Sequence, residues 1–170
     1  MPDEVLILGI DPALSVTGYG IIGVNGDDLR LISYGEIRTN DRNELAYRLH
    51  RIYSGIREVV HNHRPSLAVL EEGFYSKNVK IALGLGQARG AAMVACAECG
   101  LEVKLFAARE IKQAVAGRGS ASKEQVAYMV KARLQIEDGV IDSLDITDSL
   151  GAALCAAQKL DMESHDVRVH

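Results

Sequence analysis

An α/β fold built on a five-stranded mixed sheet flanked by helices is what this 170-residue chain predicts. Three observations lead there. Apolar stretches joined by short turns open the chain. The hydrophobic period then changes from that of strands to that of helices. After the change, strand and helix patterns alternate, giving the order βββαβαβ followed by further helices.

Val5-Leu6-Ile7-Leu8-Gly9-Ile10 is a continuous apolar run ended by Asp11-Pro12, and it reads as a buried strand. Strand-like stretches follow at 18–24 and 29–37, around Asn25-Gly26-Asp27-Asp28. Asn-Gly between apolar runs signals a hairpin, so these three strands are expected to form an antiparallel meander. Leu45, Leu49, Ile52, Ile56, Val59 and Val60 then recur every three to four residues with charges between them, the pattern of an amphipathic helix. It is expected to stop near His63, before Pro65. Residues 66–70 form a fourth strand pattern, finishing at Glu71-Glu72-Gly73. Residues 79–99, rich in Ala and Gly and followed by Gly100, predict a second long helix. A fifth strand is expected over 101–107, short helices over 109–116 and 123–134, and an alanine-rich helix from Leu144 to about Leu160. The length suits one domain, taken as 1–160, with 161–170 as a polar, mobile tail.

Composition excludes several classes. Hydrophobic residues make up 48% and charged residues 25%, so neither a disordered chain nor a disulfide scaffold is expected. No apolar run approaches the ~20 residues of a membrane helix. The acidic Met1-Pro2-Asp3-Glu4 is not the basic start of a signal peptide, and three cysteines fit reduced thiols in the cytoplasm. Cys96 and Cys99 have C-x-x-C spacing but no second pair, and read as structural thiols.

The net charge of −4 conceals an asymmetry. Residues 74–133 carry ten positive and four negative side chains, and the acidic excess lies elsewhere. One basic surface beside a separate acidic site is the arrangement this permits. The acidic candidates are Asp11 and Glu71, at the C-terminal ends of two hydrophobic strands, with Asp145 and Asp148 three apart at the start of the last helix. Taken singly each has an ordinary explanation: a turn residue, a solvated strand-end charge, or a carboxylate in a first helical turn. Taken together, with the two strands as parallel neighbours and the helix beside their edge, they form an oxygen-only cluster. Such a cluster repels itself and suits Mg²⁺ or Mn²⁺ rather than zinc. Two such ions can clamp the attacking and leaving oxygens of a phosphoryl transfer. Phe74-Tyr75 reads as a loop pair that either stacks on bases or anchors the loop. Gly117-Arg118-Gly119-Ser120-Ala121-Ser122-Lys123 opens a helix with capping-box spacing from Ser122 to Gln125, a start that favours phosphate.

Gly9-Ile10-Asp11-Pro12, Thr17-Gly18-Tyr19-Gly20 and Leu70-Glu71-Glu72 with Phe74, Lys77 and Asn78 resemble the RuvC Holliday-junction resolvases. So do the run from Leu83 to Gly90, Ile111-Lys112-Gln113, the Gly117–Lys123 loop and Asp145-Ile146-Thr147-Asp148-Ser149-Leu150. The resemblance spans about Val5 to Leu160. It implies an RNase H-like fold, a homodimer, and Mg²⁺-dependent symmetric nicking of two opposed strands of a four-way DNA junction, in recombination and repair. Asp11, Glu71, Asp145 and Asp148 would be the metal-binding catalytic acids, with two Mg²⁺ per site and Mn²⁺ as a substitute. Phe74, Lys77, Arg89, Lys112, Arg118 and Lys123 would face DNA. A RuvA–RuvB branch-migration complex would be the partner. The chain departs from the family at Ala13, where Gly is common, and at Ile146 and Thr147, where Ala is; Asp142 could pair with Asp145 in another register, but Asp145 with Asp148 is preferred because Ser149-Leu150 and the alanine-rich helix follow Asp148.

Overall fold

The first apolar run becomes β1 (Val5–Asp11), the middle strand of the sheet, in a computed structural model that describes residues 4–73 and 76–167. It pairs antiparallel with β2 (Val16–Asn25), which pairs antiparallel with β3 (Asp28–Arg38). Asn25 faces Asp28 across the hairpin, so the turn is the two residues between them, with Gly26 at φ 59°. On its other side β1 pairs parallel with β4 (Leu67–Glu72), and β4 pairs parallel with β5 (Glu102–Ala107). The order is therefore β3-β2-β1-β4-β5, a mixed sheet as expected.

Helices cover both faces, so β1 and β4 read as continuous apolar runs rather than alternating ones. Side chains still alternate between two cores. Leu8, Ile10, Ala68 and Leu70 point toward α1 (Leu45–His63) and α2 (Val79–Glu98). Ile7, Leu67 and Val69 point toward α3 (Ala108–Ala116), α4 (Lys123–Arg133) and α5 (Leu144–Val167). The last helix outruns its expected end at Leu160 by seven residues, so 161–167 are helical.

This alternation decides where the strand-end acids go. Asp11 continues the odd-numbered set of β1 and Glu71 that of β4, so both belong to the face on which α5 lies. α5 can come close because that face is lined with glycine. A Cβ on Gly9 would overlap the Ser149 carbonyl, one on Gly18 the Asp145 carbonyl, and one on Gly20 the Leu150 side chain. In the pairing of β1 with β2, Gly9 faces Gly20 and Asp11 faces Gly18, so the glycines form one patch beside Asp11.

Gly9→Ala forces the helix off the sheet, because its new methyl meets backbone and not a flexible side chain. The expected cost is about 3 kcal/mol, read as a lower urea midpoint at unchanged slope.

Candidate active site

Asp11 terminates β1 and enters a turn that is closed by one buried side chain. The Ala13 amide donates to Thr17 Oγ1 at 3.2 Å, and the Thr17 hydroxyl donates to the Ala13 carbonyl at 2.9 Å. Thr17 is fully buried. The Thr39 hydroxyl donates to the next carbonyl, that of Leu14, and Arg48 Nε donates to Thr39 Oγ1 at 2.9 Å. Among the described non-glycine residues only Arg64 and Gln135 have positive φ, so the turn accommodates Ala13 without strain.

Asp145 and Asp148 lie in the first turns of α5, where Ile146 and Thr147 between them are buried. Lys123 opens α4 directly after Ser122, whose hydroxyl accepts from the Gln125 amide at 3.1 Å while Gln125 Oε1 accepts from the Ser122 amide at 2.9 Å. This is the expected capping box. It aims Lys123 back across α5, where Nζ reaches Asp148 Oδ2 at 3.1 Å. Lys112 comes from α3, which starts where β5 ends, at the same sheet edge as Asp11 and Glu71.

These elements enclose a cleft of about 590 Å³. Asp11, Glu71, Asp145 and Asp148 all line it, with Arg89, Lys112 and Lys123. Asp142 is exposed and lies outside this lining, so the pair that enters the cleft is Asp145 with Asp148. Lys77 is exposed just before α2 and is not part of the wall. Arg118 lines a separate shallow groove with Tyr128 and Met129 on the other side of the loop before α4. Phe74, and Tyr75 with it, lies outside the described residues.

The electrostatics are those of crowded like charges. Burial, then Asp148 and Asp145, pushes the Asp11 carboxyl up to about 8. Asp148 is raised chiefly by burial, although the Lys123 hydrogen bond pulls the other way. Glu71 is raised by desolvation and by Asp148, against Lys123 and Lys112. The bond to Asp148 raises Lys123 in turn, so its ammonium is held charged. Burial lifts the Cys96 thiol to about 12 and the Cys155 thiol to about 11, so neither buried thiol ionises near neutral pH.

The donors are all carboxylate oxygens, the set that a hard divalent cation takes. Among the described residues, no three acidic, His or Cys side chains already stand within ligating distance of one common point. Lys123 occupies Asp148 instead. A protonated Asp11 and a lysine salt bridge are the two ways this pocket sheds negative charge without an ion, and a bound cation would relieve both. The residues fit a divalent metal in donor type and in charge.

The sequence singled out the acids and missed what mounts them. In the sequence Gly9, Gly18 and Gly20 are only letters of motifs, whereas in the fold α5 lies on them. Thr17 showed itself only as a buried polar residue bonded to the Asp11 turn.

Comparison with known proteins gives a consistent picture. Residues 7–156 match the family model described as "Crossover junction endodeoxyribonuclease RuvC". The chain is 44% identical over 158 residues to the protein of that name from Geobacter metallireducens, covering 93% of this chain and 95% of the relative. It is 47% identical over 151 residues to the one from Halorhodospira halophila, covering 89% of each. A solved structure, "T. thermophilus RuvC in complex with Holliday junction substrate", superposes with a TM-score of 0.86 at 32% identity, covering 94% of this chain and 96% of that one.

The raised carboxyls set a pH dependence for the metal-free protein. Folded Asp11 keeps its proton up to about pH 8, while the unfolded residue loses it near 3.8. The folded state therefore binds more protons between those values, and stability falls as pH rises through that window. Asp11→Asn should flatten the fall and raise the melting temperature at pH 8 by several degrees, measured by calorimetry in EDTA.

Proposed function

The chain belongs to the RuvC family of crossover junction endodeoxyribonucleases, and we propose that it resolves four-way (Holliday) DNA junctions by metal-dependent, symmetric nicking of two opposed strands in recombination and repair. The observation that carries this reading is the meeting of Asp11, Glu71, Asp145 and Asp148 with Lys112, Lys123 and Arg89 in one cleft. The RNase H-like nuclease domain is taken to span 1–160, with α5 running on to Val167.

In this reading the four acids hold divalent cations, two Mg²⁺ per site with Mn²⁺ as a substitute. When bound, such a pair activates the attacking water and stabilises the departing 3′ oxygen. The protein's own contribution is placement. Asp11 is fixed by the Thr17-bonded turn, Glu71 by the parallel register of β4 with β1, and the Asp145–Asp148 pair by α5. Lys112 and Lys123 offer ammonium groups to the scissile phosphate, and Lys123 is free to do so once Asp148 has another partner. Arg89 extends the positive wall from the α2 side. Phe74, Lys77 and Arg118 are assigned to DNA farther from the cut, by resemblance to the family. Junction shape and backbone charge would supply most of the selectivity.

Two opposed cuts call for two sites about a two-fold axis, so a homodimer is part of the proposal. The surface that suits it is on α2. Leu83 and Val94 are each 60% exposed, and Gly86 and Gly90 between them face open space. These four positions share one side of the helix and would let a second α2 approach closely. Delivery of the junction by a RuvA–RuvB branch-migration complex and a cytoplasmic location complete the reading. Among the described residues, no helix is long and apolar enough to cross a membrane.

Asp11→Asn should bind a synthetic four-way junction within about twofold of the parent in EDTA. It should fall by a factor of about 10³ or more in Mg²⁺-dependent nicking, followed on denaturing gels. Retained nicking would remove Asp11 from the mechanism. The double substitution Leu83→Glu with Val94→Glu should leave a folded monomer by light scattering. Its cuts should then lose their pairing, appearing as single nicks in a junction carried on a supercoiled plasmid.

A further inference from the structure

The start of α5 is held by apolar burial on one side, where Ile141 and Ile146 enter the core, and is open on the other. Glu137, Asp138, Gly139, Val140 and Asp142 before it are exposed, and Leu144 is 41% exposed. Asp145 is nonetheless required at a defined place beside Asp11. A polar connection ties this turn to β3. The Ser143 hydroxyl donates to Glu36 Oε1 at 2.5 Å, and Ser143 Oγ in turn accepts from the Ile146 amide at 3.4 Å. The Ser143 carbonyl accepts from the Thr147 amide at 3.2 Å, so Ser143 caps the helix. Glu36 lies on β3 in register with Gly18, which is itself in register with Asp11. A single row across three strands therefore runs from Asp11, over the glycine on which Asp145 rests, to the carboxylate that grips the cap of α5.

We propose that Glu36 and Ser143 form a positioning latch, which fixes the first turn of α5 and so sets Asp145 relative to Asp11. The inference rests on the reading of the acidic cleft as a metal-dependent active site. An ordinary cap needs only an acceptor oxygen for the free amides of the first turn. Here the capping hydroxyl is also committed as a donor to a carboxylate on another layer of the fold. Glu36 is held in turn by Arg38, whose Nη2 donates to Oε2 at 2.5 Å, and the Glu36 side chain is only 19% exposed. Arg38 itself is 68% exposed, so it anchors the carboxylate from the solvent side and does not reach the cleft. Both oxygens of Glu36 are thus assigned, and its orientation toward α5 is fixed.

The test compares Ser143→Ala, Glu36→Ala, the double variant, Ser143→Thr, Arg38→Ala and Asp145→Asn in the full-length protein, at a temperature where circular dichroism shows each one folded. Three quantities are read: the nicking rate at saturating four-way junction, Mn²⁺ affinity by calorimetry, and junction affinity in EDTA. Ser143→Ala and Glu36→Ala should each lose about tenfold in rate, since small misplacements of reacting groups are costly. Each should also bind Mn²⁺ several-fold more weakly while holding the junction within about twofold. The double variant should be no worse than either single one, because both remove the same contact. Ser143→Thr, which keeps the hydroxyl, should restore rate and Mn²⁺ affinity, and Arg38→Ala, which frees one oxygen of Glu36 but leaves the other bonded to Ser143, should fall between the parent and Glu36→Ala. Alanine variants that melt earlier but keep parental rate and Mn²⁺ affinity would reduce the contact to a cap and overturn the proposal. Greater damage in Arg38→Ala than in Glu36→Ala, or no rescue by Thr, would overturn it too. Asp145→Asn separates the two levels: nicking that survives it would sink the reading of the cleft itself, whereas a dead Asp145→Asn beside an unimpaired Ser143→Ala would sink only the latch.

Discussion

Four carboxylates do not gather in one partly desolvated cleft on their own account, and the fold has to hold them there against their mutual repulsion. The contact that does so sets the helix directly on the bare backbone of the sheet. α5 lies against β1 and β2 at Gly9, Gly18 and Gly20, close enough that a methyl group at any of the three would collide with it. Behind this contact the helix buries Leu150, Ala153, Leu154 and Cys155 completely, in the core shared with α3 and α4. The apolar burial of the rest of the helix outweighs the local cost of bringing its acidic first turns beside Asp11.

Much of this was legible in the residues. Strand and helix order, the hairpin, the mixed pairing and the capping box at Ser122 all follow from local patterns, and local patterns survive folding when tertiary packing agrees with them. Asp11 and Glu71 could be placed at one sheet edge because each ends an apolar strand, and the alternation of side chains then puts them on one face. The end of the last helix was not legible. Asp161, Met162 and Glu163 carry no apolar stripe, yet the helix continues through them to Val167. Polar, propensity-driven turns at a helix end leave no mark in the hydrophobic pattern. Contacts between residues far apart in the chain were equally hidden. Nothing near Glu36 announces Ser143, and nothing in Thr17-Gly18-Tyr19-Gly20 says that a helix from the other end of the chain will rest there.

The basic residues divide by reach. Lys112, Lys123 and Arg89 come from three different helices and meet at the acids, while Arg118 and Lys77 stand apart from the cleft. The asymmetry of charge along the sequence is thus only partly an asymmetry in space. Its functional content lies in the three cations that share a wall with the carboxylates. Lys123 has a double character, since it neutralises Asp148 in the absence of metal and belongs beside a phosphate in its presence. A lysine suits that exchange better than an arginine fork would, being a compact charge on a flexible stem with no bidentate grip on the carboxylate.

A mount made of main chain has a consequence for how the molecule ages and drifts. On the α1 and α2 side of the sheet, contact is between side chains such as Ile10, Ile21, Ile52 and Ile56, which can be exchanged for one another with modest repacking. On the α5 side, where Gly9 and Gly18 meet helix carbonyls, there is no rotamer to adjust and no methylene to trim. Heat or sequence change can therefore loosen one half of the protein gradually while the other half keeps its spacing until α5 detaches as a unit.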